Sequence, residues 1–438
     1  MKILLVNPYW IFYPGTNRRP GGPPSIIATV AAAFLQAGCE VDIFDFMASD
    51  HIRERGEDIL IWGKTKVDFL NFLVDKHYDG IGIKSAWTVQ HTAAVDLADL
   101  LRATYPDVYL FAGGHHVSVC GDLEHFDLNV VGEVENCVLE IMAAIDAQQR
   151  DIVIQGSKVK MLDKLDFPAY SLLDLEYYRR VQRNHHGSLL LGGMPVITSR
   201  GCPYGCNFCT VHLTMGKKWC SNSPDYVFAH LLHLESLGFT NFHFEDDNLI
   251  LSKNRWMSIM EKMATHQGFS WDTPNAVRLD TLDKDVVALA AKSGCKELRV
   301  SIETGSDAIR NVQVGKKLDI GSIYTIAAEC KKHGIRLCSF YVVGIPGETI
   351  KDIKATLRLA DRLERDHAVV PRYSIATPFP GTKMLQECLE NGWLNVPYPY
   401  TEEQLAGATH KQGLITTPQF TPDDINHVYE LWKSGKLR

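Results

Sequence analysis

Three cysteines carry the sharpest chemical signal in this chain. Cys202, Cys206 and Cys209 stand in the run Ser199-Arg-Gly-Cys-Pro-Tyr-Gly-Cys-Asn-Phe-Cys, a C-x-x-x-C-x-x-C spacing. Thiolates are the usual ligands of iron–sulfur clusters, which generally take four. Three on one tight loop leave one iron of a 4Fe–4S cluster without a protein donor. An open coordination position marks a reactive metal centre rather than a structural one. Gly201 and Gly205 are expected to let the backbone turn tightly enough to aim three sulfurs at one cluster. Two other readings stay open. His212 follows Cys209 by three residues, which allows a tetrahedral Cys₃His zinc knot. Three buried thiols brought together by chance is the other.

The elements that must position this loop are legible on both sides of it. From Pro195 onward, strand-like runs alternate with helical stretches: Val196–Ser199, Asn241–Glu245, Ser270–Asn275, Glu297–Ile302, Ile335–Val343 and Arg372–Ala376. Six such units suit an incomplete TIM-like barrel whose reactive groups sit on the loops after its strands, and the cysteine loop follows the first. Ahead of it, residues 2–6 lead to a loop rich in Pro, Gly and Arg (Pro14 to Pro24) and a helix from Ser25 to Ala37. Further strands are expected at EVDIFDF, at GIGIK near Ile81, at VYLFAGG ending on Gly114, and from Asn129 to Gly132, each separated by a helix. That alternation predicts a doubly wound parallel sheet. Such sheets bind ligands at the carboxyl ends of their strands. Here those ends carry Asn7, Ser85, Gly113, Gly114, His115, His116, Gly132 and Glu133.

The fold class is therefore α/β. A Rossmann-type domain is expected over residues 1–148, a connector over 149–190, a partial (β/α)6 TIM-like barrel over 191–400 and a helical tail over 401–438, with an amphipathic stretch at Pro422–Trp432. A chain of 438 residues is comfortable for two domains, each with its own core. The hydrophobic fraction of 45% and charged fraction of 22% are those of a soluble globular protein. No apolar run approaches the roughly 18–20 residues of a membrane span. The opening MKILLVNP enters a strand pattern without the layout of a signal peptide, so a cytoplasmic location is expected. A net charge of −7 argues against nucleic acid as the main partner. The cysteines outside the triad show no paired spacing and read as buried thiols of a reducing compartment. Cys220 and Cys338 lie near expected strand tops, where either could donate a hydrogen atom, although a buried inert thiol is the plainer reading.

The cysteine loop, with the aromatic Phe208 just before its third cysteine, resembles that of the radical SAM superfamily, and the likeness runs from about Pro195 to Thr382. The resemblance implies that the open iron chelates the amino and carboxylate groups of S-adenosylmethionine. Reductive cleavage then yields a 5′-deoxyadenosyl radical that abstracts hydrogen from a substrate. Phe244-Glu-Asp-Asp-Asn ends the second strand, where the family holds the amino group of the cofactor; Glu245, Asp246 and Asp247 are the candidates. An acidic helix N-cap is the alternative there. Ser301-Ile-Glu-Thr-Gly-Ser resembles the ribose-contacting strand, which points to Glu303, and Arg278 could face the cofactor carboxylate or the substrate. Tyr341-Val-Val-Gly-Ile-Pro-Gly-Glu matches the adenine-side motif, implicating Gly344 and Ile345, with a plain turn as the other reading.

A Rossmann-type domain ahead of such a barrel resembles the cobalamin-binding subclass. The matches are Asn7-Pro8, the Pro-rich loop, Gly113-Gly-His-His-Val-Ser and Gly132-Glu133, so cobalamin contacts are expected from Asn7, Ser85, Gly113, Gly114, His116, Gly132 and Glu133. His116 takes the histidine position of the usual Gly-Gly-Pro-His, and His115 replaces a proline. A sheet that only supports the barrel stays open as an alternative.

The resemblance thus implies a 4Fe–4S cluster, S-adenosylmethionine and cobalamin as cofactors. The activity expected is cobalamin-dependent C-methylation of a small molecule. The other activity considered is dehydration, oxidation or rearrangement by a radical SAM enzyme with an empty corrin domain. An external electron donor such as flavodoxin or ferredoxin is expected as a partner, and neither nucleic acid nor membrane.

Overall fold

The computed structural model describes residues 1–13, 21–55, 59–183, 187–408 and 412–437. Most of the Pro-rich loop, residues 14–20, lies outside them. The chain divides into two compact units, Met1–Arg183 with Leu213–Gly216 and Asn184–His212 with Lys217–Arg438.

The first unit is built on a six-stranded sheet of β1 (Lys2–Asn7), β2 (Glu40–Asp45), β3 (Gly80–Lys84), β4 (Leu110–Gly113), β5 (Leu128–Gly132) and β6 (Ile152–Gly156). Its order is β2-β1-β3-β4-β5-β6, every pair parallel. Helices Ser25–Gln36 and Val138–Asp146 bury Ile27, Phe34, Ile141 and Ile145 together with the strand residues Ile3, Leu5, Leu128 and Val130. The residues alternating with these, Leu4, Val6, Ile81 and Ile83, are buried too. Both faces are therefore covered, as the unbroken apolar runs require.

Three elements were not expected from the sequence. β6 falls in the stretch read as a connector; its run IVIQG is short and opens after Asp151 in a left-handed conformation (φ 57°). Trp10–Phe12, Ile52–Arg55 and Ile59–Trp62 form a small antiparallel sheet. A short helix, His115–Cys120, starts immediately after Gly114. Residues up to Arg183 pack on this unit, Tyr178 donating its hydroxyl to Asp45 at 2.6 Å.

The second unit holds six parallel strands in sequential order: β7 (Met194–Val196), β8 (Asn241–Phe244), β9 (Ser270–Asp272), β10 (Cys295–Glu303), β11 (Arg336–Val343) and β12 (Val370–Ile375). This is the partial barrel read from the sequence. Most expected boundaries lie within two residues of the observed ones, and two strands end three residues early. β7 ends earlier than expected, and Ser199–Arg200 instead pairs antiparallel with Cys220–Ser221. β9 stops at Asp272, because Pro274 cannot donate to a ladder; Val277 makes an isolated bridge to Val300 beyond it. The tail helix Pro422–Lys433 sets Ile425 and Val428 into a core with Val343, Ile345, Ile353 and Leu357. Among the described residues, no helix is long and apolar enough to cross a membrane.

Candidate functional site

The cysteine loop leaves β7 and is fastened to the segment that follows β8. Asp246, 1% exposed, accepts from the Thr198 backbone N–H at 3.1 Å, the Thr198 hydroxyl at 2.8 Å and the Ser199 hydroxyl at 2.5 Å. Asp247 accepts the Gly201 N–H at 2.7 Å, and Asn248 donates to Cys202 Sγ at 3.6 Å. Successive residues after one strand thus grip successive parts of the loop after its neighbour. Gly201 sits at φ 83°, where a glycine is favoured. Gly205 is not required in that way, since a Cβ there would meet nothing within 4 Å.

Two cations lie near the loop. The Arg278 guanidinium lies 3.7 Å from the ring centroid of Tyr204, within the loop, and donates to both oxygens of Asp280 at 3.0 and 2.7 Å. Lys316, 4% exposed, donates to Ser301 at 2.8 Å and pairs with Glu303. Glu303 itself has a left-handed backbone (φ 68°), an uncommon conformation for a non-glycine residue that concentrates at functional sites. Burial pushes the Cys206 thiol up, Lys316 and Arg278 pull it down, and Glu303 and Cys202 push it up. The Cys209 thiol is pushed up to about 12, chiefly by burial, with Cys206 and Cys202 adding to it. The three sulfurs are therefore electrostatic neighbours.

The donor set fits a three-cysteine cluster. All three thiols are free and partly exposed. Asn207, between Cys206 and Phe208, is buried with neither side-chain amide atom hydrogen-bonded among the described residues. No three His, Cys, Asp or Glu residues converge on a single-ion site among them, as a zinc knot with His212 demands, whereas a cube gives each thiolate its own iron.

The remaining expected residues are placed as follows. Phe208 packs against the core cluster beside the tail helix. Glu245 directly follows β8, its N–H bonded to the Val196 carbonyl at 2.9 Å and its own carbonyl accepting from Asn275 at 2.7 Å. Gly344 (φ 81°) and Ile345 turn after β11 and donate their N–H groups to Glu348 at 2.7 and 2.9 Å. The positive φ is what favours glycine at Gly344; a Cβ there would also come 2.6 Å from the terminal Cδ1 of Ile425 in the tail helix. Burial pushes the Glu348 carboxyl up to about 8. Cys220 does not top a barrel strand; it lies in the antiparallel ribbon, its sulfur 3.9 Å from the Arg200 carbonyl. Cys338 is fully buried in mid-strand opposite Arg299, and burial pushes its thiol up. Lys316, Tyr204, Asn248 and Glu348 were not singled out in the sequence; the last three stand within the quoted motifs, but their partners are supplied only by the fold.

In the first unit the strand ends gather a polar cluster. Asn7 donates to Asp45 at 2.8 Å and accepts from Lys84 at 3.2 Å. Ser85 bonds His91 at 2.9 Å, and the His91 ring stacks on His116 with centroids 3.9 Å apart. Asp122 pairs with His91 at 3.1 Å and His125 at 2.9 Å. Gly114 (φ 130°) is packed on the Ser85 carbonyl, 2.4 Å from where a Cβ would stand. Gly113 ends β4, Gly132 donates its N–H to the Ser118 hydroxyl at 3.0 Å, and Glu133 accepts the Val159 N–H at 2.5 Å. Burial and the neighbouring His91 lower His116 to about 4, and its Nδ1 is buried with no hydrogen-bond partner among the described residues. Asn129, fully buried in β5, likewise has an unpartnered side-chain amide. Buried polar atoms without partners are costly, and these fit a polar cofactor better than a purely supporting sheet.

Comparison with known proteins agrees with both units. The radical SAM superfamily matches residues 196–360, and the B12 binding domain matches residues 16–142. An uncharacterised methyltransferase of Pyrococcus horikoshii is 27% identical over 90% of this chain and 84% of its own length. Cytidylyl-2-hydroxyethylphosphonate methyltransferase of Streptomyces wedmorensis is 24% identical over 95% and 86%. In fold, the chain is similar to the radical S-adenosylmethionine methyltransferase TsrM of Kitasatospora setae (TM-score 0.69, 18% identity, 90% of this chain and 77% of that one). The chain thus carries a radical SAM domain over residues 196–360 and, ahead of it, a B12-binding domain over residues 16–142.

Proposed function

We propose that the protein is a cobalamin-dependent radical SAM C-methyltransferase acting on a small molecule. The observation that carries this is the presence, on one chain, of a B12-binding match over 16–142 and a radical SAM match over 196–360. When bound, the cluster with S-adenosylmethionine supplies hydrogen-atom abstraction, and cobalamin supplies the methyl group. Cys202, Cys206 and Cys209 hold the cluster. Arg278 and Lys316 place positive charge beside Cys206, which favours its thiolate form. Asp246 and Asp247 hold the loop, leaving Glu245 as the carboxylate for the cofactor's ammonium group; Glu303 serves the ribose, and the Gly344–Ile345 turn the adenine side. His116, neutral at pH 7, would hold the corrin together with Asn7, Ser85, Gly113, Gly114, Gly132 and Glu133.

The relatives' names as methyltransferases support methyl transfer over dehydration or rearrangement. An external flavodoxin or ferredoxin supplies the electron. The free cysteines support a reducing, cytoplasmic setting. The test is to load the anaerobic protein with hydroxocobalamin, desalt it, and turn it over with candidate substrates. A retained corrin band and products heavier by one methyl group are expected. A protein that retains no corrin contradicts the proposal.

A further inference from the structure

Among the described residues, the Asn248 side chain donates a hydrogen bond to a cysteine of the triad, Nδ2 to Cys202 Sγ at 3.6 Å. It is 3% exposed, so water does not compete strongly for the amide. Its position is fixed from behind. The Asn248 carbonyl accepts Trp219 Nε1 at 3.1 Å, and the Trp219 ring lies 5.8 Å from the Arg255 guanidinium. Arg255 in turn donates to the Asn222 and Thr198 carbonyls at 2.6 and 2.8 Å. Thr198 and Gly201 are held by Asp246 and Asp247, so the cysteine loop and Asn248 share one framework. The amide is thus preorganised against the sulfur.

A metal-bound thiolate accepts hydrogen bonds and donates none, so the carboxamide meets it through N–H. Such a donor stabilises charge on the sulfur, and the reduced cluster carries more negative charge than the oxidised one. We infer that Asn248 is a positioning residue that raises the reduction potential of the cluster through its hydrogen bond to Cys202. The step it biases is the uptake of an electron from the external donor, with no bond formed or broken and no proton taken up. This rests on the cluster reading proposed above.

The experiment is an EPR-monitored potentiometric titration of the anaerobically reconstituted full chain, comparing the unaltered protein with Asn248→Leu and Asn248→Asp. Resonance Raman spectra of the iron–thiolate stretches are recorded on the same samples. Leu removes the donor at similar size, and Asp keeps the shape while replacing the donor with a carboxylate. Both variants are expected to bind iron and sulfide as the unaltered protein does, with midpoint potentials shifted negative, more so for Asp. An iron–thiolate stretch should move to higher frequency. Should Leu disturb folding, the Asp variant carries the comparison. Loaded variants with an unchanged or more positive midpoint overturn the role, as does a failure of Asp to load at all, because the role assigned is electronic. If the unaltered protein binds no cluster, the cluster reading fails and this role with it. A loaded unaltered protein with unmoved variants defeats the Asn248 role alone.

Discussion

The Asp247 carboxylate takes the backbone N–H of Gly201 at 2.7 Å, one residue before the first cysteine of the triad. The bond crosses from the segment after β8 to the loop after β7. With Asp246 on Thr198 and Ser199, it fixes where the loop begins. A metal loop held this way keeps its ligands oriented before metal arrives.

Asp246→Ala should therefore weaken both fold and site. It leaves the buried Thr198 and Ser199 donors unsatisfied, at a cost of about 1–3 kcal/mol for each group so stranded. Chemical denaturation of the metal-free protein should show the loss, and iron should leave the reconstituted protein faster. Stability and iron retention equal to the unaltered protein would remove Asp246 from this role.

Lys316 and Glu303 form a buried pair beside Cys206. Removing one partner of such a pair typically costs about 3–5 kcal/mol, because the other charge stays buried and uncompensated. Lys316→Met should be destabilised on that scale, and Lys316→Met with Glu303→Gln should recover much of the loss. Additive losses in the double variant, followed by denaturant titration, would show that the pair is not coupled.

How much of this was legible from the sequence depends on whether the signal was local. The triad spacing and the apolar runs of β1, β3, β10 and β11 are local patterns, and the cysteine loop and both sheets follow from them. β6 was overlooked because IVIQG is five residues long and stands among turns. The end of β9 was misplaced because the ladder stops at Asp272, short of Pro274, which cannot donate to it. The grip of Asp246 and Asp247 on the loop depends on two strands being neighbours in the barrel. In the sequence they read as acidic candidates for the cofactor or as a helix N-cap. The stacked His91 and His116 are likewise joined by the fold, across the strand order of the first sheet.

Glu348 gives a pH signature. Burial raises its carboxyl from 4.5 to about 8, so the folded chain keeps a proton that the unfolded chain has already lost. Unfolding then releases that proton between about pH 4.5 and 8, and its contribution to stability falls as pH rises through that window. Glu348→Gln keeps an acceptor for the Gly344 and Ile345 N–H groups and carries no such proton. Denaturation midpoints measured across the window should decline less steeply in the variant. Parallel profiles would exclude Glu348 as a source of the slope.

His116→Ala should reduce corrin retention after desalting, by about tenfold or more in apparent affinity if the side chain contributes about 1.4 kcal/mol. Its iron and sulfide content should match the unaltered protein. Equal corrin retention in the variant argues against a contact through His116.

The central claim is that Cys202, Cys206 and Cys209 hold a cluster with one iron left for S-adenosylmethionine. EPR spectra of the reduced, reconstituted protein with and without S-adenosylmethionine test it most directly, with Cys202→Ala as the control. The account predicts a cluster signal that changes shape when S-adenosylmethionine is added, together with 5′-deoxyadenosine formation that the Cys202→Ala variant loses. A signal indifferent to S-adenosylmethionine, or one that persists unaltered in that variant, contradicts it.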